Sequence, residues 1–292
     1  MKTTLARVCT WSGTRRRVSS PRRTPQYYGL PYEDVHFASG HSDGVRLSGW
    51  IVPAHSALGV VILCHGHTST REHLLEKAVM LNAHHFTTLL FDFRARGLSA
   101  GDLCTLGARE TEDVLGAVAF VEQRADLRDL PIAALGESMG GAAVIQAAAR
   151  TEALRCVITE ASYASLDRVV RQRLAFAFGP FADSVAQACR QLSIEEMSLD
   201  IANVSPEAQI AQISPRPVLL ITDGLDLTCP RRESDRLFAA AQEPKERWIA
   251  ATAPHCLAYL TNRAAYTERV SGFLTQNLHA NGSQPPITPA RA

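Results

Sequence analysis

The sequence predicts an α/β fold: a mostly parallel central sheet flanked by helices on both faces. Three observations carry that reading. Short, wholly apolar runs such as Gly59-Val-Val-Ile-Leu-Cys64 recur along the chain, as expected of strands buried on both faces. Segments with apolar residues at helical spacing separate them. The alternation continues from about residue 27 to 279 with no internal repeat, the order of repeated strand–helix–strand units.

Taken in order, alternation around Val35 and Phe37 and the run Val45–Val52 predict two early strands, and residues 59–64 a third. Ser69 then reads as a helix cap, with Leu74, Leu75, Ala78, Val79 and Leu81 at helical spacing behind it. Thr87–Phe91 is a strand and Thr111–Gln123 a helix with apolar Val114, Leu115, Val118 and Val121. The strand Pro131–Leu135, an Ala-rich helix from Met139 to Arg150 and the strand Cys156–Thr159 follow. Beyond residue 213 come a strand at Pro217–Ile221, a helix near Glu233–Ala241, a strand at Arg247–Ala250 and a last helix from Ala264 to Leu278. Residues 165–214 break the rhythm: they have helical character, no strand, and apolar Leu174, Phe176, Phe178 and Phe181. A stretch that long inside one domain reads as a functional insertion, a helical lid, with ordinary packing helices as the alternative.

Composition bounds the function. In 292 residues, 46% are hydrophobic and 20% charged, and 30 Lys+Arg against 29 Asp+Glu leave a net charge of +1. Nothing global recruits nucleic acid, and no apolar run reaches the roughly 18 residues a membrane span needs. Charge is uneven, however. Residues 1–25 hold seven bases (Lys2, Arg7, Arg15, Arg16, Arg17, Arg22, Arg23) and no acid. Residues 1–26 therefore read as a basic, disordered arm, with a transit peptide or a surface-binding tail as alternatives. Residues 280–292, rich in Pro, Gly and Ser, read as a flexible tail. The seven cysteines (Cys9, Cys64, Cys104, Cys156, Cys189, Cys229, Cys256) form no C-x-x-C pair, and several sit in apolar runs. A reducing cytoplasm suits them better than a disulfide framework.

Gly136-Glu137-Ser138-Met139-Gly140-Gly141 stands where a strand turns directly into a helix. This is G-x-S-x-G, a nucleophile elbow. The turn is so tight that side chains two places either side of the serine would clash, which calls for glycine there. The serine is held strained and exposed, and the following helix aims its first amides at charge developing on a substrate. A nucleophilic serine needs a base, and the base an orienting acid. Among ten histidines, His255 lies between the last strand and the last helix, and Asp226 follows the preceding strand. In a parallel sheet both loops open on the same edge as the elbow, in the chain order Ser, Asp, His. Asp223 and Glu160 compete for the role of the acid. Donors for an oxyanion are the backbone N–H groups of Met139 and of His67, with Thr68 next to it, while the His65 side chain is expected to bond the loop backbone.

At this point the chain resembles a serine hydrolase of the α/β-hydrolase superfamily, in its esterase and serine-aminopeptidase-like branch. The resemblance rests on His65-Gly66 after a strand, Asp92-Phe-Arg-Ala-Arg-Gly-Leu-Ser99, the elbow, the Asp226–Pro230 segment and His255, across about residues 45–278. Ala95 departs from it, standing where relatives often have Gly, and the loop before Asp226 is one residue shorter than usual. The resemblance implies the α/β-hydrolase fold and a Ser138–His255–Asp226 triad without a cofactor, but not the substrate. Apolar Phe176, Phe178 and Phe181, with Thr68, are the expected substrate contacts. No Asp- or Glu-rich signature suggests a cationic peptide end, so a small carboxylic ester of short to medium acyl chain is the expected substrate, with a thioester or peptide bond as the alternative. Two readings from other classes compete: a metal-dependent hydrolase built on the His65-x-His67 pair, and a binding protein that keeps the fold without catalysis.

Overall fold

The computed structural model describes residues 14–278. Ten strands are present among them: β1 (Arg17–Val18), β2 (Glu33–Ala38), β3 (Arg46–Val52), β4 (Gly59–Cys64), β5 (Phe86–Asp92), β6 (Arg96–Gly97), β7 (Ile132–Glu137), β8 (Leu154–Glu160), β9 (Val218–Asp223) and β10 (Lys245–Ala250). Eight form one sheet in the order β10-β9-β8-β7-β4-β5-β3-β2. From β10 to β5 every pairing is parallel; β3 and β2 close the far edge antiparallel. The strands β4, β5, β7 and β9 are buried at every residue, which is why they read as unbroken apolar runs.

The helices are α1 (Leu75–Ala83), α2 (Glu110–Gln123), α3 (Met139–Ala148), α4 (Leu166–Phe178), α5 (Ala182–Met197), α6 (Pro206–Gln209), α7 (Arg231–Ala240), α8 (Ala258–Thr261) and α9 (Arg263–Asn277). Two buried clusters divide the sheet's faces. One packs Val114, Val118, Ala143, Ala147 and Leu237 of α2, α3 and α7 against alternate residues of the strands. The other packs Ala78 and Leu81 of α1 and Tyr266, Val270 and Leu274 of α9 against the opposite side chains of the same strands. The order in which strands are added reverses about β4, flanked by β5 on one side and β7 on the other, so the loops after β4 and β7 diverge and leave a crevice at their carboxyl ends.

Two expectations are corrected. The cap ahead of α1 is Thr70, not Ser69: Thr70 and His73 form a capping box on a 3-10 turn, Arg71–Leu74, that runs into the helix. Residues 14–26 are not an unstructured arm. β1 pairs with β6, and the amides of Arg22 and Arg23 donate to Glu72 at 2.9 and 3.1 Å. The rest of the basic segment, with Lys2, Arg7 and Cys9, and the tail beyond residue 278 lie outside the described residues. Residues 165–214 fold mainly as α4 and α5, a helical pair with a small core of its own around Leu174, Val185, Cys189 and Leu192. Among the described residues no helix is long and apolar enough to cross a membrane.

Candidate active site

At the elbow, Ser138 has φ 52° and ψ −116°, a conformation strained for any L residue with a side chain. Its glycines are there by necessity. A Cβ on Gly136 would lie 2.5 Å from the Gly140 carbonyl, and one on Gly140 would lie 2.3 Å from the carbonyl oxygen of Cys64. The second contact presses the start of α3 against the end of β4, bringing the His65–Thr68 loop beside the serine.

The loops after β7, β9 and β10 converge on that edge. The Ser138 hydroxyl donates to His255 Nε2 at 3.0 Å, and His255 Nδ1–H donates to Asp226 Oδ2 at 2.6 Å. The other Asp226 oxygen accepts from the amides of Thr228 and Cys229 at 2.7 and 2.9 Å, so the carboxylate cannot rotate away. Gly224 lets the two loops touch: a Cβ there would fall 2.4 Å from the carbonyl oxygen of Ala251. The competing acids are engaged elsewhere. Asp223 Oδ2 accepts from the Cys256 amide at 2.6 Å, and Glu160 accepts from the Ala258 amide at 3.1 Å and the Tyr266 hydroxyl at 2.9 Å. Burial, and next the charge of Glu160, pushes the Asp223 carboxyl up to about 8.

His65 is fully buried. Its Nδ1–H donates to the Gly66 carbonyl at 2.7 Å and its Nε2 accepts from the Phe93 amide at 3.0 Å. Burial lowers it to about 3, so it stays neutral. With both ring nitrogens committed to backbone, His65-x-His67 cannot present a pair of metal ligands. Asp226, Cys229 and His255 do each offer a donor atom, all within 4.8 Å of one another. Asp226 and His255 are bonded to each other, however, and burial pushes the Cys229 thiol up, keeping it protonated; the set suits proton transfer better than a cation. Arg96 donates from Nε to the His67 carbonyl at 2.8 Å, fixing the peptide between His67 and Thr68.

Two cavities meet here. The larger, about 570 Å³, exposes Ser138 and His255 and is lined by the Gly66–Ser69 loop, Thr68 included, and by Glu72, Glu76 and Glu137. The smaller, about 210 Å³, is mainly apolar and open to solvent, lined by Leu106, Val170, Leu174, Met197, Leu199 and Ile201 among others. His67 and Arg173 line both. The expected aromatic contacts are corrected: Phe176 is 97% exposed and Phe181 68%, both turned to solvent, while Phe178 packs against the core of the α4–α5 pair. Helical phase explains this, since the cavity side of α4 is centred on Val170 and Leu174, and Phe176 projects away from both, off the flank of that face.

Sequence reasoning also missed a buried ionic cluster behind the elbow. The Lys77 ammonium donates to both Glu137 and Glu160. Burial alone would discharge Lys77, but the two carboxylates hold it well above its usual range. The signal was there: a lysine inside the apolar stripe of α1. The three glutamates at the larger cavity were likewise not anticipated; each is paired, Glu72 with Arg23, Glu76 with Arg263 and Glu137 with Lys77.

A family model described as serine aminopeptidase, S33 (Hydrolase_4) matches residues 55–209, just over half of the chain. The chain belongs to this family. The matched span includes Ser138 and ends before Asp226 and His255. YfhR of Escherichia coli K12 is 27% identical over 255 residues, covering 85% of this chain and 82% of its own. YqkD of Bacillus subtilis is 27% identical over 251 residues, covering 83% and 79%. Both carry names that assign no activity. Among solved structures, the Pyrococcus furiosus esterase Pf2001 superposes with a TM-score of 0.73 at 23% identity, covering 90% of this chain and 99% of that one. The α/β hydrolase GrgF from Penicillium superposes at 0.69 with 21% identity, covering 85% and 99%. The family and these likenesses make the fold that of an α/β hydrolase.

Proposed function

We propose that this hydrolase cleaves carboxylic esters of short to medium acyl chain through an acyl-enzyme on Ser138. His255 takes the serine proton as the hydroxyl attacks the carbonyl, and Asp226 holds the imidazole in the required tautomer and stabilises its charged form. The amides of Met139 and His67 hold the oxyanion. His255 then protonates the leaving alcohol, and water repeats the sequence to release the acid. The observation that carries this reading is the continuous chain of hydrogen bonds from Ser138 Oγ through His255 to an Asp226 clamped by two amides. The 210 Å³ apolar cavity supports a short to medium acyl group, being smaller than the roughly 300–1,000 Å³ typical of drug-sized ligands.

The family's description raises aminopeptidase activity as the second reading. Recognition of a free amino terminus calls for a carboxylate, and the three glutamates at the larger cavity are each already paired with a cation of this chain. Ester cleavage is therefore preferred. Nitrophenyl esters of increasing acyl length, assayed beside an acyl-thioester and an aminoacyl anilide, test the choice. Ser138→Ala is expected to remove activity by a factor on the order of 10⁶ without loss of fold. A variant keeping more than about one per cent of turnover would reject Ser138 as nucleophile.

A further inference from the structure

The two cavities differ in how their charges are arranged. Around the larger one, Arg23, Glu72, Glu76, Lys77 and Glu137 all have ion partners within the chain. Arg173 is the exception: it lines both cavities and makes no ion pair among the described residues. Its position on α4 sharpens the point. Residues i, i+3 and i+4 share a helix face, so Val170, Arg173 and Leu174 all address the small cavity. Arg173 itself is exposed, so its guanidinium stands at the solvent-open rim shared by the two cavities. The Arg173 charge is also felt by the Cys229 thiol and the Tyr163 phenol. Cys229 in turn donates its amide to Asp226.

From this we infer that the substrate carries an anionic group, a carboxylate or similar oxyanion, close to its scissile ester, and that Arg173 is the residue that selects it. The inference rests on the ester-hydrolase reading and narrows its substrate class. A guanidinium presents a planar fork of donors that matches a carboxylate in two parallel hydrogen bonds. Held at the junction of an apolar acyl cavity and a polar leaving-group cavity, it can meet an anion on either side of the reacting carbonyl.

Two matched substrate pairs test this. On the acyl side, mono-4-nitrophenyl glutarate is compared with 4-nitrophenyl pentanoate. On the alcohol side, the butyrate ester of 3-hydroxybenzoate is compared with phenyl butyrate. In one pair at least, the wild-type protein is expected to prefer the anionic member by about tenfold or more in kcat/KM. That preference should shrink as salt is raised, because the contact is electrostatic. Arg173→Gln should abolish it, and Arg173→Lys, which keeps the charge but loses the fork, should retain part of it. No preference in either pair, a preference that Arg173→Gln leaves intact, or no turnover of any of the four esters overturns the inference. Labelling of Ser138 by a fluorophosphonate separates the cases: a labelled serine leaves the hydrolase reading standing, whereas an unlabelled one ends both.

Discussion

Three carboxylates stand at or just beyond the carboxyl ends of β8 and β9, Glu160, Asp223 and Asp226, and hydrogen bonding assigns them different tasks. Asp226 meets His255; Asp223 and Glu160 hold the amides of Cys256 and Ala258, gripping the histidine loop one and three residues past the imidazole. Asp226→Asn should therefore reduce kcat more than Asp223→Asn or Glu160→Gln does; the reverse ranking in steady-state assays would move the acid. Asp223 also has a pH signature. Its folded-state carboxyl titrates at about 8 against an ordinary 3.8, so between those values the folded protein binds more protons than the unfolded one. Its contribution is then lost progressively as pH rises from about 4 to 8. Asp223→Asn keeps the acceptor for Cys256 and removes the titration, so the variant should gain stability relative to wild type as urea denaturation is followed from pH 5 to 8. A difference that stays constant across that range would refute the assignment.

At the scale of elements, the elbow is fastened from behind by an ion cluster linking α1, β7 and β8. Lys77 is taken out of water, and its two carboxylate partners are what make that tolerable. Lys77→Met would leave Glu137 and Glu160 buried without a counter-charge, at a cost of about 3–5 kcal/mol in denaturant unfolding. The triple variant Lys77→Met, Glu137→Gln, Glu160→Gln should recover most of that loss, because it leaves no charge stranded. If the single variant is as stable as wild type, the cluster is not holding these elements together. The turn between β5 and α2 serves the site in a similar way. Ala95, a residue with a Cβ, sits at φ 56°, so the chain accepts strain there while Arg96 beside it reaches the His67 carbonyl.

Over the whole molecule, the segment before β2 joins parts distant in sequence. β1 pairs with β6, Arg22 and Arg23 bind Glu72, and Thr14 and Arg23 reach the two cavities. We propose that this segment and the α4–α5 pair together bound the substrate's approach from opposite sides, the helical pair acting as a lid. Removing residues 1–24 is expected to lower the melting temperature and to reduce kcat/KM on nitrophenyl esters severalfold, mainly through KM. Unchanged kinetics and melting would show that the segment only decorates the surface.

The α/β class, the order of strands and helices, and the serine, aspartate and histidine were legible without coordinates. Each is written locally: apolar runs of strand length, helical periodicity, glycines flanking a serine at a forced turn, and loops that a parallel sheet must open on one edge. Tertiary structure alone decided what depends on the relative phase and approach of separate elements. It turned Phe176 and Phe181 to solvent and set the exposed Arg173 where the two cavities meet, because helical phase against a neighbour is set by packing. It docked residues 14–26, whose composition resembles a free arm but whose backbone finds partners in β6 and Glu72. It also sorted three acids into one that faces the imidazole and two that anchor its loop, a choice made by hydrogen-bond geometry over a few ångströms, which residue spacing does not encode.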